Sequence, residues 1–236
     1  MDTVMITGAN RGLGLELAKQ YAADGWRVIA CSRRSSPGLA GLAGLQSEVR
    51  VFGLDVTDHG QMERLAAELR DQAIDVLINN AGTMGKSTFG GSASTDQRFG
   101  NTDYDDFEKI LRTNVIAPLR MAETFLEHVA RSRQKKIVTL SSVVGSVSLN
   151  TSGGLYAYRA SKAAVNAIMK SMSIDLAERG ILAVAMHPGW VRTELGGPNA
   201  DIDAVASVTG MRRIISALTR HDLGNVIAYD GQVLPY

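Results

Sequence analysis

The feature that most constrains the fold of this 236-residue chain is a regular alternation of two kinds of apolar segment. In the first kind, apolar residues recur every three or four positions, as Leu13, Leu17 and Tyr21 do, which predicts amphipathic helices. Short runs rich in Val and Ile predict strands that are buried on both faces; they span 4–7, 28–31, 49–53, 74–78, 137–140 and 182–186. The alternation predicts an α/β fold in which a doubly wound parallel sheet is flanked by helices on both faces. Ligands of such sheets bind at the carboxyl ends of the strands.

Composition narrows the classes of protein that fit this pattern. Hydrophobic residues make up 45% of the chain and no linker or repeat divides it, so we expect one folded domain over 1–236. With 25 basic and 24 acidic residues, a nucleic-acid partner is not expected. The single cysteine, Cys31, and four scattered histidines predict neither a disulfide nor a metal site. The first residues show neither the basic region nor the small-residue cleavage site of a signal peptide, and no apolar run approaches about 18 residues, so we expect a cytoplasmic protein with no membrane contact.

Three glycines fall where the first predicted strand turns into the first predicted helix. Glycines at such a turn let the backbone approach a pyrophosphate, and the helix N-terminus presents unpaired N–H groups to that anion. This geometry is typical of a Rossmann-like dinucleotide-binding domain, although a tight turn that only packs helix against strand is an alternative. The predicted cofactor-binding residues of the turn are Gly8, Asn10, Arg11, Gly12, Leu13 and Gly14.

The segment after the second predicted strand indicates which dinucleotide is bound. An NAD site carries an acid there for the ribose 2′-hydroxyl, but no acid occurs between Asp24 and Glu48. The segment begins instead with Ser32 and Arg33, and the guanidinium groups of Arg33 and Arg11 suit a 2′-phosphate. We therefore expect NADP(H), unless both arginines are ordinary surface charges.

A tyrosine and a lysine four residues apart are the strongest candidates for catalysis. Tyr158 and Lys162 open a long helical pattern that places both on one face, downstream of the fifth predicted strand. A phenol with an ordinary pKa near 10 is a poor acid at neutral pH, and a neighbouring ammonium favours its ionised form. The pair therefore suits a reaction in which a carbonyl accepts a hydride and its oxygen must be protonated.

The T-G-x-x-x-G-x-G pattern at 7–14, the N-N-A-G segment at 79–82 and the Tyr158/Lys162 pair together resemble the short-chain dehydrogenase/reductase family over essentially the whole chain. The resemblance implies a catalytic tetrad of Asn114, Ser142, Tyr158 and Lys162. In that tetrad Tyr158 is the general acid, Lys162 lowers its pKa and holds the nicotinamide ribose, Ser142 binds the carbonyl oxygen, and Asn114 anchors a water.

The same resemblance adds further cofactor contacts. For Asp55 and Asn79, a role in a turn or as a helix cap is the alternative to the role that the resemblance implies. Thr193 is implied to contact the carboxamide. The residues implied to bind the cofactor beyond the glycine turn and the 2′-phosphate segment are Asp55, Val56, Asn80, Ala81, Gly82, Tyr158, Lys162, Pro188, Gly189, Val191 and Thr193.

The segments around the site depart from many family members. Ser142 lies 16 residues before Tyr158, so 145–155 is expected to form a longer wall beside the substrate, and Ser141 stays an alternative to Ser142. Tyr156 is a rival acid, but no lysine follows it at four residues, which favours an aromatic wall. Glycine and proline breaks predict a substrate lid at about 190–212, and the low-complexity segment 85–101 is expected to be a mobile loop before a helix at 105–130.

Three segments, 153–162, 196–200 and 229–236, resemble the C-factor and sniffer branch of the family. The branch implies an NADPH-dependent carbonyl reductase acting on an aldehyde, ketone or quinone, or catalysing the reverse oxidation. An NADP-binding sensor or cell-signalling protein in which turnover is incidental is the alternative; a Rossmann-like methyltransferase fits less well, because the acid after the second strand is missing. The apolar face of the helix after Lys162 is expected to form a homodimer or homotetramer, or else to pack only on the sheet.

Overall fold

Branched apolar runs form the strands of one eight-stranded sheet in the computed structural model, which describes residues 1–86 and 98–236. The sheet order is β3-β2-β1-β4-β5-β6-β7-β8, and all neighbouring strands are parallel except the antiparallel pair β7 and β8. The strands are β1 (Thr3–Thr7), β2 (Arg27–Ser32), β3 (Val49–Gly53), β4 (Val76–Asn79), β5 (Lys136–Leu140), β6 (Leu182–His187), β7 (Val226–Ala228) and β8 (Val233–Leu234).

Helices cover both faces of the sheet. They are α1 (Gly12–Ala23), α2 (Pro37–Leu45), α3 (His59–Glu68), α4 (Tyr104–Leu111), α5 (Ala117–Thr124), α6 (Leu126–Ala130), α7 (Tyr156–Asp175) and α8 (Ala204–Ala217). Helices α1, α2 and α8 bury apolar side chains against one face, and α3, α5 and α7 against the other. The predicted doubly wound α/β fold is therefore confirmed. The reversal of strand order between β1 and β4 places a ligand crevice at their carboxyl ends.

Two predicted helical segments differ from the structure. The predicted helix 105–130 is interrupted by a π-helical turn, Arg112–Ile116, and again at Phe125. The predicted lid at 190–212 is too long, because α8 begins at Ala204 and buries Val208 and Met211 against the sheet. The irregular part of the segment ends at residue 203, and its role as a lid stays a prediction.

Other boundaries shift for local reasons. The predicted strand 74–78 begins two residues early, since β4 starts at Val76. Strands β7 and β8 were too short, at three and two residues, to leave a periodic pattern in the sequence. Of the predicted loop 85–101, the part from 87 to 97 lies outside the described residues.

Neither a membrane helix nor a metal cluster is found in the part of the chain that the structure describes. No helix there is both long and apolar enough to cross a bilayer. Nor do three or more His, Cys, Asp or Glu side chains group there in a way that would hold a metal ion.

Candidate active site

The glycine turn lies between β1 and α1 in a conformation that requires glycine. Gly8 and Gly12 have φ angles of +67° and +51°, in the left-handed region that glycine adopts at little cost. A Cβ atom on Gly14 would lie 2.2 Å from the carbonyl oxygen of Gly8, so any larger residue there would displace the turn. The turn is therefore closely packed, with side chains of Asn80 and Ala81 next to Gly8 and that of Thr193 next to Gly12.

The start of α1 differs from the start of most other helices in the chain. Arg11 is its N-cap residue, and its side chain makes no capping hydrogen bond to any described residue. Helices α2, α3, α4 and α8, by contrast, are each capped by a side chain, those of Ser36, Asp58, Asp103 and Asp203. The first N–H groups of α1 are therefore left for an anionic ligand.

Hydrogen bonds join the glycine turn to the end of β4. Nδ2 of Asn80 donates to the carbonyl oxygens of Thr7 (2.8 Å) and Gly8 (3.1 Å). The Thr7 hydroxyl accepts from the backbone N–H groups of Asn80 and Ala81, each at 3.1 Å. Asn79 points into the sheet, where its Nδ2 donates to the Pro118 carbonyl and the Thr139 hydroxyl, each at 3.3 Å. Asn80 thus shapes the turn, while Asn79 fixes the sheet beneath it.

The basic residues predicted to bind a 2′-phosphate lie at the same edge. Ser32 is buried and its hydroxyl donates to the Arg34 carbonyl (2.9 Å), whereas Arg33 and Arg34 are exposed. Arg11 is exposed and forms an ion pair with Glu194 of the loop after β6. The structure therefore leaves Arg33 accessible beside β2 and directs Arg11 toward the opposite loop.

The predicted adenine contacts lie after β3. Asp55 uses one carboxylate oxygen to accept from the backbone N–H (2.9 Å) and hydroxyl (2.7 Å) of Thr57. Its own N–H donates to Oε1 of Gln61 (2.8 Å), and Val56 is buried. Asp55 therefore orders the turn after β3, at a strand end that faces the crevice.

Tyr158 and Lys162 are brought together on α7, as their spacing predicts. Both side chains are buried, and Nζ of Lys162 lies 5.5 Å from the centre of the Tyr158 ring. Nζ also donates to the carbonyl oxygen of Leu140, at the end of β5, over 2.8 Å. The Lys162 ammonium is thus fixed between the phenol and the carboxyl edge of the sheet.

Of the two serines after β5, the structure brings Ser142 to the phenol. A hydrogen bond joins the side chains of Ser142 and Tyr158. Ser141 points into the core, where its hydroxyl lies 2.5 Å from Oδ1 of buried Asn166 on α7. The hydroxyl of Ser141 is therefore hydrogen-bonded within the core and is not directed to the site.

Burial dominates the ionisation of the Tyr158/Lys162 pair. Burial raises the pKa of Tyr158 well above 10, and the hydrogen bond with Ser142 acts in the opposite direction. Burial lowers the pKa of Lys162 to about 8. Burial is the largest influence on the pKa of Tyr158, and the expected lowering of that pKa by Lys162 stays a prediction. Burial thus disfavours the charged form of each group, although Lys162 is still protonated at pH 7.

Asn114 lies in the π-helical turn between α4 and α5. Its Oδ1 accepts from the Thr83 N–H (2.9 Å), and its Nδ2 donates to the Thr83 carbonyl (2.8 Å) and to the hydroxyl of Ser161 (3.0 Å). Gly82 lies beside it, since a Cβ there would be 3.5 Å from Oδ1 of Asn114 and 3.9 Å from Nζ of Lys162. Both N–H groups of the Asn114 amide are therefore engaged by protein, so a water held by this residue would bind its oxygen atoms.

The loop after β6 closes over the glycine turn. Gly189 has a φ of +85°, and Val191 is buried and pairs with Ile202. The Cγ2 atom of Thr193 lies 3.5 Å from where a Cβ of Gly12 would stand. Nε1 of Trp190 donates to the Gly196 carbonyl over 2.7 Å, which stabilises the loop from within. The contact of Thr193 and Glu194 with the glycine turn places this loop across the crevice.

Pro188, the other predicted cofactor contact of this loop, is held by α8. The carbonyl oxygen of Pro188 accepts from the Ser207 hydroxyl over 2.6 Å. Burial lowers the pKa of the preceding His187 to about 4, so its imidazole is neutral at pH 7. His187 therefore brings no second positive charge to Lys162.

Sequence reasoning missed several residues that the structure places in the site. Thr7, Thr83, Ser161 and Glu194 each contact a predicted residue through a hydrogen bond or an ion pair. The partners of Thr83 and Ser161 lie 31 and 47 positions away in the chain. No spacing within the sequence reports such contacts, because they depend on how distant elements meet.

The chain is similar to known proteins over nearly its full length. The model of the short chain dehydrogenase family matches residues 2–203. The C-signal protein of Myxococcus xanthus is 37% identical over 175 residues, which cover 74% of this chain and all of that protein.

Two solved structures extend the similarity to the whole fold. The carbonyl reductase Sniffer of D. melanogaster has a TM-score of 0.89 and 32% identity, with 100% of both chains covered. An NADPH-bound carbonyl reductase from chicken fatty liver has a TM-score of 0.88 and 30% identity, with coverage of 100% of this chain and 99% of that one. The arrangement of strands, glycine turn and α7 therefore recurs in proteins that carry these names.

Proposed function

The chain belongs to the short-chain dehydrogenase family, and we propose that it is an NADP(H)-dependent carbonyl reductase that reduces an aldehyde, ketone or quinone, or catalyses the reverse oxidation. The observation that carries the proposal is the buried group of Ser142, Tyr158 and Lys162 at the carboxyl edge of the sheet. The glycine turn follows β1, and this group lies at the end of β5, two strands away in the sheet, which suits the proton donor of a dinucleotide-dependent reduction.

The residues around the glycine turn fit NADP(H). The uncapped start of α1 supports binding of a pyrophosphate, and the exposed Arg33 after β2 supports binding of a 2′-phosphate. The residues proposed to hold NADP(H) are Gly8, Asn10, Arg11, Gly12, Leu13, Gly14, Ser32, Arg33, Asp55, Val56, Asn80, Ala81, Gly82, Tyr158, Lys162, Pro188, Gly189, Val191 and Thr193. When bound, this cofactor supplies the hydride that reduces the carbonyl carbon.

The chain's own residues would manage the oxygen of the substrate. Ser142 donates a hydrogen bond to that oxygen and, with Tyr158, holds the carbonyl in place. Tyr158 is protonated at neutral pH because burial raises its pKa, so it has a proton to give as negative charge develops on the oxygen. Lys162, 5.5 Å from the ring, then stabilises the phenolate. Asn114 keeps the neighbouring segment at Thr83 in position.

The surroundings of the tetrad would limit access to it. We assign residues 1–236 to a single catalytic domain in which the loop from 190 to 203 covers the crevice. The wall at 145–155 would lie beside the substrate, with Tyr156 on its outer side, 42% exposed. These two segments are proposed to select the substrate.

A second candidate function is favoured by one comparison. The identity of 37% with C-signal supports an NADP-binding signalling protein in which turnover is incidental. Such a protein needs the glycine turn, but it has no need of a buried phenol next to a buried ammonium. The arrangement of Tyr158 and Lys162 therefore favours the reductase.

The test is oxidation of NADPH and of NADH by the purified protein with a panel of aldehydes, ketones and quinones. We expect turnover that prefers NADPH and that falls by at least about 100-fold in Tyr158→Phe. Tyr21→Phe, at a buried tyrosine of α1, is the control, and Tyr156→Phe checks the rival acid. If NADPH binds but neither wild type nor any variant reduces a carbonyl, the reductase proposal is wrong and the signalling candidate is favoured.

A further inference from the structure

The Ser161 hydroxyl links two elements of the site through one atom. Ser161 is fully buried on α7, one residue before Lys162. Its Oγ accepts from Nδ2 of Asn114 over 3.0 Å and donates to the carbonyl oxygen of Tyr158 over 2.7 Å. The same atom therefore connects the π-helical turn to the backbone of the residue that carries the phenol.

The start of α7 has no side-chain cap in the part of the chain that the structure describes, so its first turn relies on hydrogen bonds such as this one. The N-cap residue Leu155 has a left-handed backbone, with φ of 52°, and makes no side-chain capping bond to any described residue. A non-glycine residue in this region carries strain, and an uncapped helix start leaves N–H groups without partners. Tyr158 lies only two residues after the first residue of this helix. Its position is therefore sensitive to any further loss of anchoring.

The other end of the link reaches the opposite side of the crevice. Asn114 is bonded twice to the backbone of Thr83, at 2.9 and 2.8 Å, and Thr83 follows Gly82 at the end of the segment after β4. Gly82 in turn packs near Nζ of Lys162. The bonds from Thr83 through Asn114 and Ser161 to Tyr158 thus join the floor of the crevice to the helix that bears the proton donor.

We propose that Ser161 is a positioning residue that sets the place of Tyr158 relative to the segment at Gly82 and Thr83. The inference rests on the proposed reductase function and deepens it. The position requires a group that accepts and donates at once, which a serine hydroxyl does. Alanine would leave one of the two N–H groups of the Asn114 amide without a buried acceptor, and cysteine would supply a weak acceptor and a weak donor.

A second serine of α7 provides a matched control. Ser173 is also buried, at 2% exposure, and its hydroxyl donates to the carbonyl of Lys170 three residues earlier over 2.7 Å. Ser161 makes the same kind of bond to Tyr158 three residues earlier. Ser173→Ala therefore removes the same local helix bond, at the end of α7 away from the crevice and without any link to Asn114.

The experiment compares Ser161→Ala, Ser161→Cys and Ser173→Ala by steady-state kinetics, NADPH binding and thermal unfolding. We expect Ser161→Ala to lower kcat about 10- to 100-fold, since small displacements of a reacting group have effects of this size. Its Kd for NADPH should stay within about twofold of wild type, and Ser161→Cys should be intermediate. Ser173→Ala should keep the kcat of the wild type even if its Tm falls.

A readout that needs no turnover separates this inference from the proposed function. In protein labelled with 3-fluorotyrosine, the ¹⁹F resonance of residue 158 is assigned by its absence in Tyr158→Phe. We expect this resonance to shift in Ser161→Ala and to stay in place in Ser173→Ala, whether or not a carbonyl is reduced. An unmoved resonance, or a kcat for Ser161→Ala equal to that of Ser173→Ala, would overturn the positioning role. Loss of turnover in wild type with a shifted resonance would reject only the reductase function.

Discussion

Lys162 shows how a single residue can cost stability and yet be needed for the proposed chemistry. Its ammonium is buried, and its pKa is lowered from 10.5 to about 8, which corresponds to about 3 kcal/mol of destabilisation of the charged form. At pH 7 the lysine is charged in both the folded and the unfolded chain, so the whole of this cost falls on the folded state. A lysine with only a structural role would be unfavourable at this position, whereas a lysine that stabilises a phenolate has a chemical reason to be there.

Replacing the charge should therefore stabilise the protein while removing its activity. Lys162→Met removes the buried charge but leaves the Leu140 carbonyl without its donor, which costs about 1 to 3 kcal/mol in the opposite direction. We expect a net gain of about 1 kcal/mol and a Tm higher by about 2 to 4 °C at pH 7. Carbonyl reduction should be lost. The measurement is thermal unfolding at pH 7 and again near pH 10.

The second pH is the control for this prediction. Between pH 8 and 10.5 the unfolded chain binds more protons at this lysine than the folded chain does, so wild-type stability rises with pH in that window. The advantage of Lys162→Met should shrink accordingly. A variant that is less stable than wild type at pH 7 would contradict the assigned cost of the buried charge.

The same pKa predicts the pH dependence of the reaction. Lys162 stabilises a phenolate only while it is protonated, so kcat/KM for carbonyl reduction should fall as the pH rises above about 8. The measurement is a pH profile with saturating NADPH. Lys162→Arg, whose guanidinium stays charged, should be slower than wild type but should show no decline near pH 8. An identical decline in both proteins would assign the titration to another group.

At the scale of elements, the wall beside the proposed substrate site is held by α7. Nη1 of Arg159 donates to the carbonyl of Val144 (3.1 Å), and its Nη2 donates to the hydroxyl of Ser152 (2.9 Å). One side chain thus joins the beginning and the end of a wall that carries the exposed apolar residues Val147 and Leu149. Gly145 packs against the backbone of Lys162, and the arginine gives the wall a second attachment to the helix farther along.

Removing the arginine should affect large substrates more than small ones. For Arg159→Ala we expect KM for a bulky ketone to rise about 5- to 10-fold, from the loss of two hydrogen bonds that order the wall. The KM for NADPH and the kcat for a small aldehyde should change by less than about twofold. Arg179→Ala, which removes a surface ion pair with Glu127, is the control. Equal changes for large and small substrates would show that the wall does not select them.

The elements that the sequence predicts correctly are those whose pattern lies within a few consecutive residues. Six strands and the glycine turn were found because buried parallel strands and left-handed turns demand particular residues at fixed spacings. Helix α8 was assigned in part to a lid, although Asp203 caps it and Val208, Met211 and Ile215 follow a helical spacing. The glycines and proline before Ala204 obscured that pattern.

The side-chain network of the site was less predictable than its catalytic pair. Tyr158 and Lys162 share one helix, so their spacing alone places them together. Asn114, Thr83 and Ser161 come from three different segments, and their hydrogen bonds arise only when those segments pack. The ion pair of Arg11 with Glu194 likewise depends on the loop that crosses the glycine turn.

For the whole molecule, an apolar groove beside α7 is the feature that bears on assembly. A groove of about 370 Å³ runs between α5, α6 and α7 on the side away from the sheet. It is lined mainly by apolar side chains, with Glu123 and Asp175 among its lining residues; the apolar ones are Leu119, Ala122, Leu126, Ala167, Ile168, Met172 and Leu176. The groove includes part of the helix face, at Ala167, Ile168 and Met172, that the sequence predicts to be an oligomer interface. We propose that a second copy of the chain covers it, related by a twofold axis, as the homodimer or half of a homotetramer.

A charge placed in the groove should then separate the copies without unfolding either one. Ala167 is exposed, so Ala167→Glu changes no buried contact within a single chain, but a twofold axis would bring two such carboxylates into one apolar interface. We expect light scattering to give at least a dimer for wild type and a monomer for Ala167→Glu at the same concentration. Val205→Glu, at an exposed apolar residue of α8, should keep the mass of the wild type. Because Tyr158 and Lys162 face the sheet from the same helix, retention of NADPH binding by the monomer would show that the site is complete in one chain. A wild type that is monomeric at micromolar concentration would instead leave the groove to a different partner.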